Sequence, residues 1–214
     1  MTITKIEQAK KNENRVNIYL NDKFWVGLDK SELLSFGLFK NKEINEEEKS
    51  TIEKSASFTK LIGRIISYIN IRPHSAKEIS DHFIYKKSEE SENVTKAIEY
   101  LKDKDLISDK RFAEWFTENR FASKRYGINK IKAQLSQKGV DTNIIKEVLS
   151  DEKYKDEDFK EEQAVNLEEQ VNKALRMIKY KDNNDLKQKL FRRLAGKGFG
   201  FDEINKAFKK VAST

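Results

Sequence analysis

The chain has 214 residues, 37% hydrophobic and 37% charged, with a formal net charge of +7 and a pI near 9.2. It has no cysteine, which excludes disulfides and thiolate metal sites, and no run of about 18 apolar residues, which excludes an apolar membrane-spanning helix. The first residues form no apolar signal segment, so a cytoplasmic protein is expected, and the Lys/Arg excess favours nucleic acid or an acidic protein surface as partner.

Three short strands open the chain, at 3–8, 15–20 and 24–27. Val16, Ile18 and Leu20 alternate with Asn17 and Tyr19, the period of a half-buried strand. Turn-forming residues lie between the strands, at Asn12-Glu13-Asn14 and Asn21-Asp22-Lys23. The expected product is an antiparallel meander that needs a helix to pack on. Trp25 reads as core. Asp29 with Glu32 is a capping-box pattern, Leu33, Leu34 and Phe36 supply apolar contacts, and Gly37 stands where a left-handed residue ends the helix. Asn45 with Glu48 is a second capping box, and the polar stretch after it reads as an exposed helical linker.

From Phe58 onward the pattern is helical. Leu61, Ile62, Ile65, Ile66 and Ile69 form an amphipathic stripe that Arg72-Pro73 stops. Ser75 with Glu78 opens the next helix, which carries Ile79 and Phe83, and Ser91 caps a third with Val94, Ile98 and Leu101. Ser108 or Asp109 caps a helix that places Phe112, Trp115, Phe116 and Phe121 inward. Tyr126-Gly127 turns the chain, and Ile128, Ile131 and Leu135 line the following helix. Gly139 ends that helix, and Asp141 caps one with Ile144, Ile145, Val148 and Leu149 inward. Acidic residues dominate 151–169, ahead of Val171, Leu175 and Ile178, and one long helix is expected from about 156 to 180. Asp185 with Gln188 caps a helix with Leu186, Leu190 and Leu194, which Gly196-Lys197-Gly198 ends. Phe201, Ile204, Ala207 and Phe208 mark the last helix.

One template recurs. Ile79 and Phe83 align with Ile131 and Leu135, and these with Leu190 and Leu194. Lys138-Gly139 and Lys197-Gly198 fall in register, and Lys87 stands at the glycine's place in the first copy. The expected fold is mainly α: tandem three-helix repeats in an elongated curved array with a small N-terminal antiparallel β module. The expected boundaries are 1–44 for the meander and short helix, 45–57 for the linker, and 58–107, 108–150 and 151–214 for the repeats. A unit of this size buries little surface alone, so stacking on its neighbours contributes to its stability.

The pattern Asp109, Phe112-Ala113, Arg120, Gly127, Ile131, Leu135, Lys138-Gly139 and Ile145 resembles the middle repeat of the RecX family, regulators of the RecA recombinase. Arg72-Pro73-His74-Ser75-Ala76-Lys77-Glu78 resembles the family's first repeat, Leu194 to Phe199 with Ile204 its C-terminal repeat, and the strand module the extension of its longer members. The resemblance implies a non-enzymatic inhibitor or modulator of RecA. Such a protein binds the groove of the RecA–single-stranded DNA filament and suppresses recombination, ATPase and co-protease activity. Its implied partners are the RecA filament and single-stranded DNA, contacted directly or through RecA, with no membrane partner and the chain a monomer.

Catalytic and metal patterns are absent from the sequence. His74 and His82 are the only histidines, and neither has zinc-ligand or triad spacing. Gly196-Lys197-Gly198 lacks the frame of a phosphate-binding loop, so no cofactor is expected. What remains is basic charge: residues 173–210 hold 12 Lys/Arg against 4 Asp/Glu. The candidate filament- and DNA-binding residues are Arg120, Lys124, Arg125, Lys130, Lys132 and Lys138 in the middle repeat, with Lys187, Lys189, Arg192, Arg193 and Lys197 in the last. A RecA-independent DNA-binding protein would use the same residues and is the alternative.

Overall fold

The computed structural model of the protein describes residues 1–10, 12–124, 126–154 and 157–212. The chain divides into two compact units, Met1–Tyr68 with Glu92–Ala97, and Ile69–Ser91 with Ile98–Thr214. As expected, the fold is mainly helical with a small N-terminal sheet.

In the first unit, β1 (Ile3–Ala9), β2 (Asn12–Leu20) and β3 (Lys23–Asp29) form an antiparallel meander. Ile3, Val16, Ile18, Leu20, Val26 and Leu28 are buried on one face. Asn21 and Asp22, both at positive φ, make the second turn. Asn12 to Asn14 do not make the first turn. Ala9 pairs with Asn12, so the reversal comes at Lys10 and the three residues belong to β2. A bulge follows Ile18, which pairs with Val26 while Tyr19 pairs with Phe24. Trp25 is the extra residue. It is half-buried against the core, and its indole N–H donates to Glu53 (2.8 Å).

The Asp29–Glu32 capping box starts α1 (Lys30–Ser35), and Gly37 at φ 56° follows its end. Leu33 and Phe36 pack on the core, whereas Leu34 is exposed on the far side of this short helix. The Asn45–Glu48 capping box starts α2, which runs unbroken from Glu46 to Ile69. Residues 46–57 are therefore not an exposed linker. Ile52 and Ala56, one turn apart, are buried in the sheet's core, and Glu32 accepts hydrogen bonds from Ser55 and Thr59. A single apolar pair at helical spacing is enough to seat an otherwise polar stretch of helix.

In the second unit, α3 (Ala76–Asp81) is capped by Ser75 and continues as a π turn, His82–Lys86. A π turn holds one residue more than an α turn. The carbonyl of Phe83 accepts from Glu89 N–H, whereas Leu135 accepts from Val140 and Leu194 from Phe199. The left-handed residue of this copy is thus Ser88 (φ 54°) rather than Lys87, matching Gly139 and Gly198 one residue late. In α4 (Ser91–Asp103), whose residues Glu92–Ala97 belong to the first unit, the cap position belongs to Glu90, and Ser91 is the first helical residue.

Helices α5 (Asp109–Lys124), α6 (Ile128–Gln137) and α7 (Thr142–Leu149) enclose Phe112, Phe116, Phe121, Ile131, Leu135, Ile145 and Val148. Ser108 caps α5 and Asp141 caps α7. A 3₁₀ turn (Glu152–Tyr154) precedes α8 (Glu157–Met177), α9 (Asn183–Ala195) and α10 (Phe201–Ala212). Their core holds Leu167, Val171, Ala174, Leu190, Leu194, Phe199, Ile204 and Ala207. Helix α9 starts earlier than expected, because Asp182 is the cap and Asp185 bonds back to Lys181 N–H. Phe201 is exposed, its ring against Phe191 (4.8 Å). Asp156, expected to open α8, lies outside the described residues.

Candidate nucleic-acid interface

The three aligned apolar pairs, Ile79/Phe83, Ile131/Leu135 and Leu190/Leu194, are all buried. Their register brings the Lys-Gly turn of one repeat onto the N-terminus of the equivalent helix one repeat earlier. At the first contact, Ser75 Oγ donates to the Lys138 carbonyl (2.7 Å). At the second, Gly127 N–H donates to the Lys197 carbonyl (2.9 Å). Ser75 and Gly127 are the cap residues of α3 and α6, so the same carbonyl is held at the same place twice.

The second contact is backbone on backbone. A Cβ on Gly198, at φ 93°, would lie 2.3 Å from Lys130 N, and one on Gly127 would lie 2.4 Å from the Gly198 carbonyl oxygen. Both positions require glycine for close approach as well as for turning. At the first contact, a Cβ on Gly139 (φ 76°) would lie 2.7 Å from the Lys77 side chain.

The side chains around these contacts differ. Lys138 Nζ reaches Glu78 (2.5 Å), which also pairs with Arg72 (3.0 Å), and the Arg72 guanidinium stacks 5.3 Å from the Trp115 ring. Burial pushes the Glu78 carboxyl up, but hydrogen bonds from Arg72 and Lys138 outweigh it and hold the group below the usual carboxylate range. In the template, Lys130 and Lys189 occupy Glu78's position. Lys197, in Lys138's position, donates instead to the Gln170 amide. Burial and the charges of Arg193 and Lys173 hold its ammonium below the usual lysine range.

The candidate basic residues therefore separate. Arg193 and Lys197 come together, and Lys173 of α8 joins them. Sequence reasoning missed Lys173 because it lies outside the repeated turn; its place beside the buried Val171 and Ala174 was the available signal. Lys130 and Lys132, and likewise Lys187 and Lys189, are two residues apart and point to opposite flanks of their helices. Lys138 is engaged by Glu78, and Lys189 by Asp185 (2.8 Å) and the Lys179 carbonyl. Lys187 lies 6.0 Å from the Phe191 ring. Arg120 is half-buried, its guanidinium 4.7 Å from the Phe116 ring and its Nε enclosed with no hydrogen-bond partner among the described residues. Lys132 and Arg192 are exposed. The Lys124 side chain and Arg125 lie outside the described residues.

Among the described residues, no group of three or more His, Asp or Glu could hold a metal ion. His74 is buried, its Nδ1 2.7 Å from the Arg72 carbonyl oxygen, and burial with the Arg72 charge lowers its pKa. No helix among the described residues is long and apolar enough to cross a membrane.

The sequence matches the N-terminal domain of regulatory protein RecX over residues 1–45. It also matches the second three-helix domain of RecX over 108–149 and the third over 154–208. A regulatory protein RecX of Clostridioides difficile (strain 630) is 32% identical, covering 98% of this chain and 95% of the relative. The chain belongs to the RecX family. Another RecX relative, from Bacillus subtilis (strain 168), is 31% identical over 98% of this chain and 76% of its own length. A crystal structure of regulatory protein RecX shares the fold, with a TM-score of 0.77 at 23% identity over 100% of this chain and 99% of that one. RecX-family membership carries a regulatory role, and the two Lys-Gly turns fall in the segments that match the second and third RecX three-helix domains.

Proposed function

We propose that this chain is a non-enzymatic regulator of RecA. It binds the RecA–single-stranded DNA filament in its groove, bridges successive protomers, and suppresses strand exchange, ATP hydrolysis and co-protease activity. The observation that carries this reading is the likeness to regulatory RecX proteins across nearly the whole chain, N-terminal module included. The surface chemistry supports it. Arg192, Arg193 and Lys132 are exposed cations, and Lys173, Arg193 and Lys197 concentrate charge where an acidic surface or phosphates would neutralise it. Repeated units suit a polymer, since several weak contacts to successive protomers add through effective concentration.

The test is RecA ATP hydrolysis on single-stranded DNA with the chain titrated in. Progressive suppression is expected; unchanged hydrolysis at excess chain would overturn the reading.

A further inference from the structure

Beside the Gly127–Gly198 contact is a cavity of about 460 Å³ between the end of α5, the first half of α8 and α10. That volume lies within the range of small-molecule sites, roughly 300–1,000 Å³. Its walls are aromatic: Phe121, Tyr154, Phe159 and Phe199 all line it. Phe159 meets Phe121 edge-on at 4.9 Å and Tyr154 at 5.3 Å, so the cavity is bounded by both faces and edges of rings. The Gln163 amide, also in the lining, offers a donor and an acceptor.

Charge at the mouth is uneven. Of its carboxylates, Glu168 pairs with Lys210 (2.6 Å) and Glu203 accepts from Gly200 N–H (2.5 Å). Lys160 and Lys206 are exposed there, and neither has a carboxylate partner among the described residues. A π-rich wall, a two-way amide and two cations at the rim suit a planar heterocycle that carries an anion. The geometry points to a nucleotide site: the base lies in the cavity against the aromatic wall, Gln163 meets its edge, and Lys160 and Lys206 meet the phosphate. This deepens the proposed function by giving the single strand a base-accepting pocket. Duplex bases, paired and stacked, are not available to it.

The test uses the full chain. Ala164 lies exposed at the mouth on α8, so Ala164→Trp plugs the cavity from outside. The probes are a labelled oligo(dT), a labelled duplex of the same length, and dTMP followed by saturation-transfer NMR. Ala164→Trp is expected to weaken oligo(dT) binding roughly tenfold, the scale of one lost base–aromatic stack, with duplex affinity and melting temperature unchanged. Should the Trp disturb folding, Phe159→Leu keeps the apolar wall, removes the ring, and is expected to weaken oligo(dT) binding several-fold. Saturation of dTMP by the wild type and not by Ala164→Trp identifies free nucleotide as a sufficient ligand. No dTMP signal alongside the oligo(dT) loss assigns the site to bases within a strand. Unchanged oligo(dT) affinity in the variants, or equal losses for single strand and duplex, overturns the site. So does a variant that keeps oligo(dT) affinity and loses only its effect on RecA, since the pocket would then take a protein side chain. If the wild type leaves RecA hydrolysis unchanged, the functional proposal fails while the pocket remains testable on DNA alone.

Discussion

At the first contact in the helical unit Lys138 reaches a carboxylate, Glu78; at the second, Lys130 stands in Glu78's register, and Lys197 turns to the Gln170 amide. The backbone device is shared, a Lys carbonyl held by a helix-cap residue, with Ser75 and Gly127 as donors. Ion pairs reinforce the first contact. The second relies on close backbone approach and leaves cations beside it. The same repeated turn thus serves as an internal lock in one place and as a concentration of positive charge in the other.

Substitutions can break each contact separately. The largest effect is expected from Gly198→Ala, where a methyl would meet the Lys130 backbone and φ is 93°. The cost should exceed about 3 kcal/mol in urea unfolding, because strain and a backbone clash add. Gly139→Ala should cost about 2–3 kcal/mol, less than Gly198→Ala, because its methyl would meet the Lys77 Cβ at 2.7 Å rather than a backbone nitrogen at 2.3 Å. A cost equal to that of Gly198→Ala would contradict the distinction. Glu78→Gln should cost about 2 kcal/mol by removing a charged hydrogen-bonding group that two cations share. Its acid response should change as well. The folded pKa of Glu78 is lowered, so its contribution is present above the unfolded value near 4.5 and is lost as pH falls through the folded value. Unfolding followed from pH 7 downward should show that loss in the wild type and not in Glu78→Gln. Lys197→Gln should change stability by no more than about 0.5 kcal/mol, since the ammonium is already disfavoured by burial and by its like-charged neighbours.

Much of this was legible locally. The Asp29 and Asn45 capping boxes, the strand alternation of Val16, Ile18 and Leu20, and the left-handed Gly139 and Gly198 depend on residues close in sequence. What was not legible depends on distant partners. Gly127 reads as a turn residue, yet what excludes a side chain there is the Gly198 carbonyl. Lys138 reads as a surface cation, and Glu78, sixty positions away, engages it. Composition made residues 46–57 look like a linker, but Ile52 and Ala56 seat them on the sheet. The π turn after Asp81 has no periodic signature, so the displaced register at Ser88 emerges only from the hydrogen bonds. The opposite flanks of Lys187 and Lys189 follow from helical spacing alone.

The proposed regulator and the alternative differ in what the exposed cations meet, a RecA filament or DNA alone. The direct measurement is co-sedimentation of the wild type and of Arg192→Ala/Arg193→Ala with RecA–single-stranded DNA filaments and with the same DNA bare, at matched salt. RecA is expected to strengthen wild-type binding, and the double variant to lose this gain at an unchanged melting temperature. Equal wild-type binding to bare DNA and to filaments would contradict the proposed regulator and favour the RecA-independent DNA-binding protein.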